Sequence, residues 1–81
     1  MRITLIPFAV LKDHLPGEGF SLELPEGTNA TEALDMLASK HPDLAPLLQV
    51  TRLAHEDEYV GRRSLLTDGA EYCLIPPVSG G

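Results

Sequence analysis

The residues with the clearest chemical capacity stand at the end of the sequence, in Pro76-Pro77-Val78-Ser79-Gly80-Gly81. From Leu74 onward no side chain is charged, in a chain that carries six basic and twelve acidic residues. Neither proline can donate a ladder hydrogen bond, so a strand arriving here must stop at Pro76. The proline pair favours extended polyproline geometry, and six residues at ~3.1–3.6 Å each reach about 20 Å, far enough to thread into another protein's active site. Gly80 and Gly81 have no Cβ and fit a narrow channel. A terminal Gly81 carboxylate, with an ordinary pKa of about 3.3–3.7, is ionised at neutral pH and acylates poorly. It can attack the α-phosphate of ATP, and a sulfur or amine nucleophile can then displace AMP from the acyl-adenylate. Gly81 is therefore the expected reactive residue, with Pro76, Pro77, Val78, Ser79 and Gly80 as the arm inserted into a partner. Glycines at a terminus are weak evidence alone; the strand, two prolines, valine and small residue before them supply the specificity.

Other reactive side chains carry less. Cys73, the one cysteine, is expected to be a buried strand residue, because nothing near it in sequence lowers a thiol pKa and Glu71 would raise it. With no second cysteine, no intramolecular disulfide is possible. His14, His41 and His55 lack metal-ligand spacing, His41 lying at a helix end and the other two in loops. Glu56-Asp57-Glu58 reads as a solvated loop. No metal and no bound cofactor are expected.

The elements that must position the tail can be read from periodicity. Ile3 to Val10 is apolar on both faces, Ile3 and Leu5 on one and Ile6 and Phe8 on the other, as in a buried strand or one whose outer face docks a partner. Phe20 to Leu24 alternates at period two, and Pro25-Glu26-Gly27 stops it. Ala30, Ala33, Leu34, Leu37 and Ala38 form the single apolar stripe of a helix. Asn29 and Glu32 have the spacing of a capping box, and Lys40, His41 and Pro42 close the helix. Leu44 to Leu48 reads as a turn or single helical turn, Val50 to Ala54 and Glu58 to Val60 as short strands. Thr67-Asp68-Gly69 is a turn, and Glu71 to Ile75 the last strand. First and last strands, the most apolar, are expected to be parallel central neighbours in a sheet with the helix on one face, an α+β arrangement. Residues 1–75 would form the domain and 76–81 the extended tail. Phe8 and Ile75 then fall on the sheet face away from the helix, either as core or as an interaction patch.

At 81 residues and 43% hydrophobic, the chain has room for one small core and no deep catalytic cavity beside it. A formal net charge of −6 disfavours nucleic acid and anionic membrane surfaces and suits a basic protein partner. Arg62-Arg63, the only adjacent basic pair, reads as a solvated loop. No signal peptide or membrane span is visible, so a cytoplasmic protein is expected.

Leu66-Thr67-Asp68-Gly69, the strand after it and Pro76-Pro77-Val78-Ser79-Gly80-Gly81 resemble the MoaD-type sulfur carriers, the small subunits of molybdopterin synthase in the ThiS/MoaD group. Phe8-Ala9 and Thr31-Glu32-Ala33-Leu34 match weaker signals of the same family, and the likeness spans essentially the whole chain. The resemblance implies a ubiquitin-like β-grasp fold and a non-catalytic sulfur-donating subunit. It implies that a MoeB-type enzyme, consuming ATP, adenylates Gly81 and that a sulfur donor protein converts it to a thiocarboxylate. The tail would enter a MoaE-type large subunit in a heterotetramer and pass sulfur to cyclic pyranopterin monophosphate, in molybdenum cofactor biosynthesis. It also tips Phe8 and Ile75 toward the partner-binding surface. Carriers for thiamine or tRNA thiolation, and ubiquitin-like modifiers, share the same activation chemistry and stay open. One departure is visible: where the family often has an Asn-Gly-like tight turn, this chain has His55-Glu56-Asp57-Glu58, and a wider loop is expected.

Overall fold

The computed structural model describes residues 1–77. Five strands, β1 (Arg2–Pro7), β2 (Phe20–Glu23), β3 (Arg52–His55), β4 (Glu58–Tyr59) and β5 (Glu71–Ile75), form one mixed sheet in the order β2-β1-β5-β3-β4. β1 and β5 pair in parallel at its centre, Leu5 beside Tyr72 and Pro7 beside Leu74. The other pairings are antiparallel. This is the expected α+β arrangement, with the order of a β-grasp.

The helix α1 (Ala30–Lys40) is set by its ends. The Asn29 side chain accepts the Glu32 backbone N–H at 2.8 Å, and the Glu32 carboxylate accepts the Asn29 N–H at 3.0 Å. Two orphan donors of the first turn are thus satisfied reciprocally. Ala30, Ala33, Leu34 and Leu37 of the stripe are buried. They join Ile3, Leu5, Leu22, Leu53 and Leu74 in a single core cluster. A 3-10 turn at Pro42–Leu44 leads into the one-turn helix α2 (Ala45–Leu48), whose Leu48 is fully buried.

Several boundaries differ from the reading by periodicity. β1 ends at Pro7, and residues Ala9–Asp13 form a 3-10 turn, so Val10 is exposed rather than part of a strand. Ala9 has φ 53°, which breaks the extended run that the apolar side chains suggested. β3 starts at Arg52 because Val50 and Thr51 are held in the turn after α2, their amides donating to the Leu47 and Leu48 carbonyls. β4 stops at Tyr59, one residue short of Val60.

The β3–β4 connection is the clearest correction. Ala54 pairs with Tyr59 and His55 with Glu58, leaving only Glu56 and Asp57 between the strands. Both have positive φ, 49° and 68°, as a type I′ hairpin turn requires. The turn is tight, not wide. Strand pairing on both sides overrides the low preference of Glu and Asp for left-handed backbone, a cost of roughly 1–2 kcal/mol per residue. His55 is likewise a strand residue, not a loop one, and its Nδ1 lies 2.9 Å from the Glu71 carbonyl oxygen.

Candidate functional site

The tail leaves the sheet from β5, and the alternation of that strand determines what surrounds the exit. Tyr72 and Leu74 point under α1 and are buried; Cys73 and Ile75 point to the opposite, uncovered face and are half-buried. Pro76 is buried against the body while Pro77 is exposed. Strand pairing stops after Ile75, as the missing proline amides require. Val78, Ser79, Gly80 and Gly81 lie outside the described residues.

Register builds the uncovered face row by row. Ile6 of β1 lies beside Cys73 of β5, Cys73 beside Ala54 of β3, and Ala54 beside Tyr59 of β4. Toward the tail, Arg52 lies beside Ile75, and the Phe8 amide donates to the Leu74 carbonyl at 3.1 Å. Phe8 and Ile75 therefore meet on one face, and with Ala54, Tyr59 and Cys73 they line a shallow concavity of about 340 Å³. Phe8 is 41% and Tyr59 60% exposed, large values for aromatic side chains on a sheet. Such an apolar face without a covering layer has the character of an interaction surface.

Charge is distributed unevenly along this strip. Glu56, Asp57 and Glu58 of the hairpin line the concavity on its β3–β4 side, and Glu71 opens β5 at the end away from the tail. At the tail end Lys12 stands over the Phe8 ring, 5.9 Å from its centroid; the Arg52 guanidinium stacks on Tyr59 at 4.8 Å, on the β4 side of the face.

Cys73 sits between these ends and is half-buried on the open face, not in the core. Burial pushes its thiol pKa up, and the carboxylates of Glu71 and Asp57 push it further the same way. The thiol is protonated at neutral pH and weakly nucleophilic. His14, His41 and His55 are scattered; among the described residues no three His, Cys, Asp or Glu side chains gather as metal ligands. Nor is any helix among them long and apolar enough to cross a membrane. Arg62 and Arg63 are exposed in a turn, where the Arg62 carbonyl accepts from the Thr31 amide and hydroxyl.

Sequence reasoning missed Tyr59, Ala54 and Arg52 as part of this face. β4 is two residues long, too short to show a period, but the Cys73/Ile75 alternation against Tyr72/Leu74 was a usable signal.

The ThiS family matches residues 8–81, which takes in both the uncovered face and the glycine tail. A molybdopterin synthase sulfur carrier subunit from Chlamydomonas reinhardtii is 30% identical over 83 residues, covering all of both chains. One of the same name from Arabidopsis thaliana is 28% identical over 81 residues, covering all of this chain and 84% of that one. Among solved structures, a complex of subunits 1 and 2 of the molybdopterin-converting factor from Helicobacter pylori contains a chain similar over the full length of both. That match has TM-score 0.65 and 26% identity. The fold is shared with SAMP1 from Haloferax volcanii, at TM-score 0.79 and 22% identity over all of both chains, and with a Caldiarchaeum subterraneum ubiquitin, at TM-score 0.67. A β-grasp body, an uncovered apolar sheet face and a Pro-Pro-Val-Ser-Gly-Gly tail, matched together from Phe8 to Gly81, make this chain a member of the ThiS family.

Proposed function

We propose that this protein is the sulfur carrier subunit of a molybdopterin synthase. The observation that carries the reading is full-length similarity to proteins of that name, running through the final glycines. In this reading the Gly81 carboxylate attacks the α-phosphate of ATP in an adenylating enzyme of the MoeB type, releasing pyrophosphate. Sulfur from a donor protein then displaces AMP and leaves a thiocarboxylate. The arm from Pro76 to Gly80 enters the large subunit, where the sulfur passes to cyclic pyranopterin monophosphate and the carboxylate is regenerated. Two small and two large subunits make the working heterotetramer.

Within this division of labour the body contributes recognition and no catalytic group. Phe8 and Ile75, flanking the point where β5 ends, form the docking surface for the large subunit. Cys73, protonated on that same face, is not the sulfur-bearing atom. The chain acts in the cytoplasm.

The test is the intact mass of the chain after incubation with activating enzyme, ATP and a sulfur donor. Exchange of one oxygen for sulfur is expected in the native chain and in Cys73→Ala, and not after deletion of Gly81. Full sulfur transfer by a chain lacking Gly81 would refute the proposal. A folded Phe8→Glu variant is expected to lose large-subunit binding; retained binding would refute the docking surface.

A further inference from the structure

We infer that Arg52 is a specificity-determining residue of the uncovered face, pairing through its guanidinium with a carboxylate that the docked partner presents beside the tail's exit. The inference rests on the reading of this face as the docking surface and names the chemistry required of the occupant.

Arg52 lies in register with Ile75, the last residue of β5 before the tail. Its guanidinium stacks on the Tyr59 ring at 4.8 Å, an arrangement that holds the planar fork in place and lowers the entropy lost when it pairs. Among the described residues the chain supplies no acceptor for it. Arg52 Nε is shielded from solvent without a hydrogen-bond partner, and among the described residues its side chain makes no ion pair. This happens in a chain with twice as many acidic as basic residues. Arg2, by contrast, is held by Glu23 where β1 pairs with β2. A guanidinium that is half-buried, braced and unpaired among the described residues is suited to a planar two-oxygen acceptor.

The rest of the face gives the direction of docking. The carboxylate residues Glu56, Asp57 and Glu58 of the β3–β4 hairpin line the concavity, and Glu71 and Asp57 both act on Cys73. Arg52 is in register with Ile75, and its guanidinium lies over Tyr59 on the β4 side of the concavity. A partner surface with an apolar knob for the concavity and an acidic group beside Arg52 meets the apolar and the cationic parts of the face together. A partner carboxylate placed at the hairpin instead meets Glu56, Asp57 and Glu58. Charge placed in this way selects partner and register more than it adds raw affinity.

The experiment measures binding of the full-length chain to its own synthase large subunit at low and high salt, with thermal midpoints recorded in parallel. Phe8→Glu tests the docking reading, and Arg52→Gln and Arg52→Lys test the inference. Arg52→Gln is expected to bind at least about tenfold more weakly, as for loss of a charge-assisted hydrogen bond, with a shallower salt dependence. Arg52→Lys keeps the charge without the fork, so a severalfold loss with the salt dependence retained is expected. If Phe8→Glu abolishes binding while Arg52→Gln binds as the native chain, the inference is overturned and the docking surface stands. Weaker binding by Arg52→Gln with an unchanged salt dependence would mean a neutral acceptor and also overturn it. Should Arg52→Gln not fold, native affinity in Arg52→Lys would be decisive against it. A folded Phe8→Glu that binds normally removes the docking surface and this inference together.

Discussion

The two faces of β5 are built from neighbouring residues of similar type and have opposite fates. Tyr72 and Leu74 are 4% and 0% exposed beneath α1; Cys73 and Ile75, one step along the chain, stay half-buried on the side with no helix. The inner face converts apolar area into stability. The outer face leaves comparable area in contact with water, a cost that a free-standing domain of this size has little reason to carry. An apolar side chain in this molecule is thus assigned to folding or to recognition by the parity of its position in a strand.

The sharpest challenge to that contrast is a matched pair of truncations. Leu74→Ala is expected to cost about 2–5 kcal/mol in urea unfolding, a large share of the stability of a domain this small. Ile75→Ala is expected to cost under about 1.5 kcal/mol yet to weaken large-subunit binding measurably. Equal losses of stability would erase the distinction between the faces. Next in size is the cover of the inner face: Asn29→Ala removes the capping box and should lower stability by about 1 kcal/mol, with binding unchanged.

The hairpin at the outer face separates the two roles in the opposite direction. Replacing Glu56-Asp57 with Asn-Gly relieves two left-handed residues and is expected to raise stability by about 1 kcal/mol. The same change removes two carboxylates from the rim of the concavity, so the salt dependence of docking should shift while the fold tightens. A drop in thermal midpoint would show that these side chains hold the turn in some other way.

The smallest effect concerns Cys73. Its pKa is raised in the folded chain, so the protonated thiol is the form the fold favours. The associated stability is complete below the ordinary thiol pKa and is lost as pH climbs through the raised value. Comparison of native and Cys73→Ala thermal midpoints should show no pH-dependent difference near neutrality. A decline specific to the native chain is expected only at alkaline pH, together with slow alkylation at neutral pH.

What could be read without coordinates follows from how local each cause is. The capping box needs only Asn29 and Glu32 three residues apart, and the ends of β5 follow from a turn and two prolines, so both were legible. The parallel placement of β1 and β5 was recoverable from their apolar character. The tight Glu56-Asp57 turn was not, because its energy comes from the ladder between β3 and β4 rather than from the turn residues. Val10 read as strand because a 3-10 turn is dictated by backbone at Ala9 and leaves no apolar period. Cys73 reads as a buried strand residue because no neighbour lowers a thiol pKa, although alternation with Tyr72 and Leu74 places it on the other face. Arg52 and Tyr59 are neighbours only through the β3–β4 register, which no local pattern announces.

The parallel pairing of β5 with β1 has a mechanical consequence. The strand that carries the tail is flanked by ladders on both sides, to β1 and to β3. A pull along the tail loads β5 in shear, against many backbone hydrogen bonds at once instead of one after another. An arm withdrawn from a tight channel would therefore slide free before the body that holds it unravels.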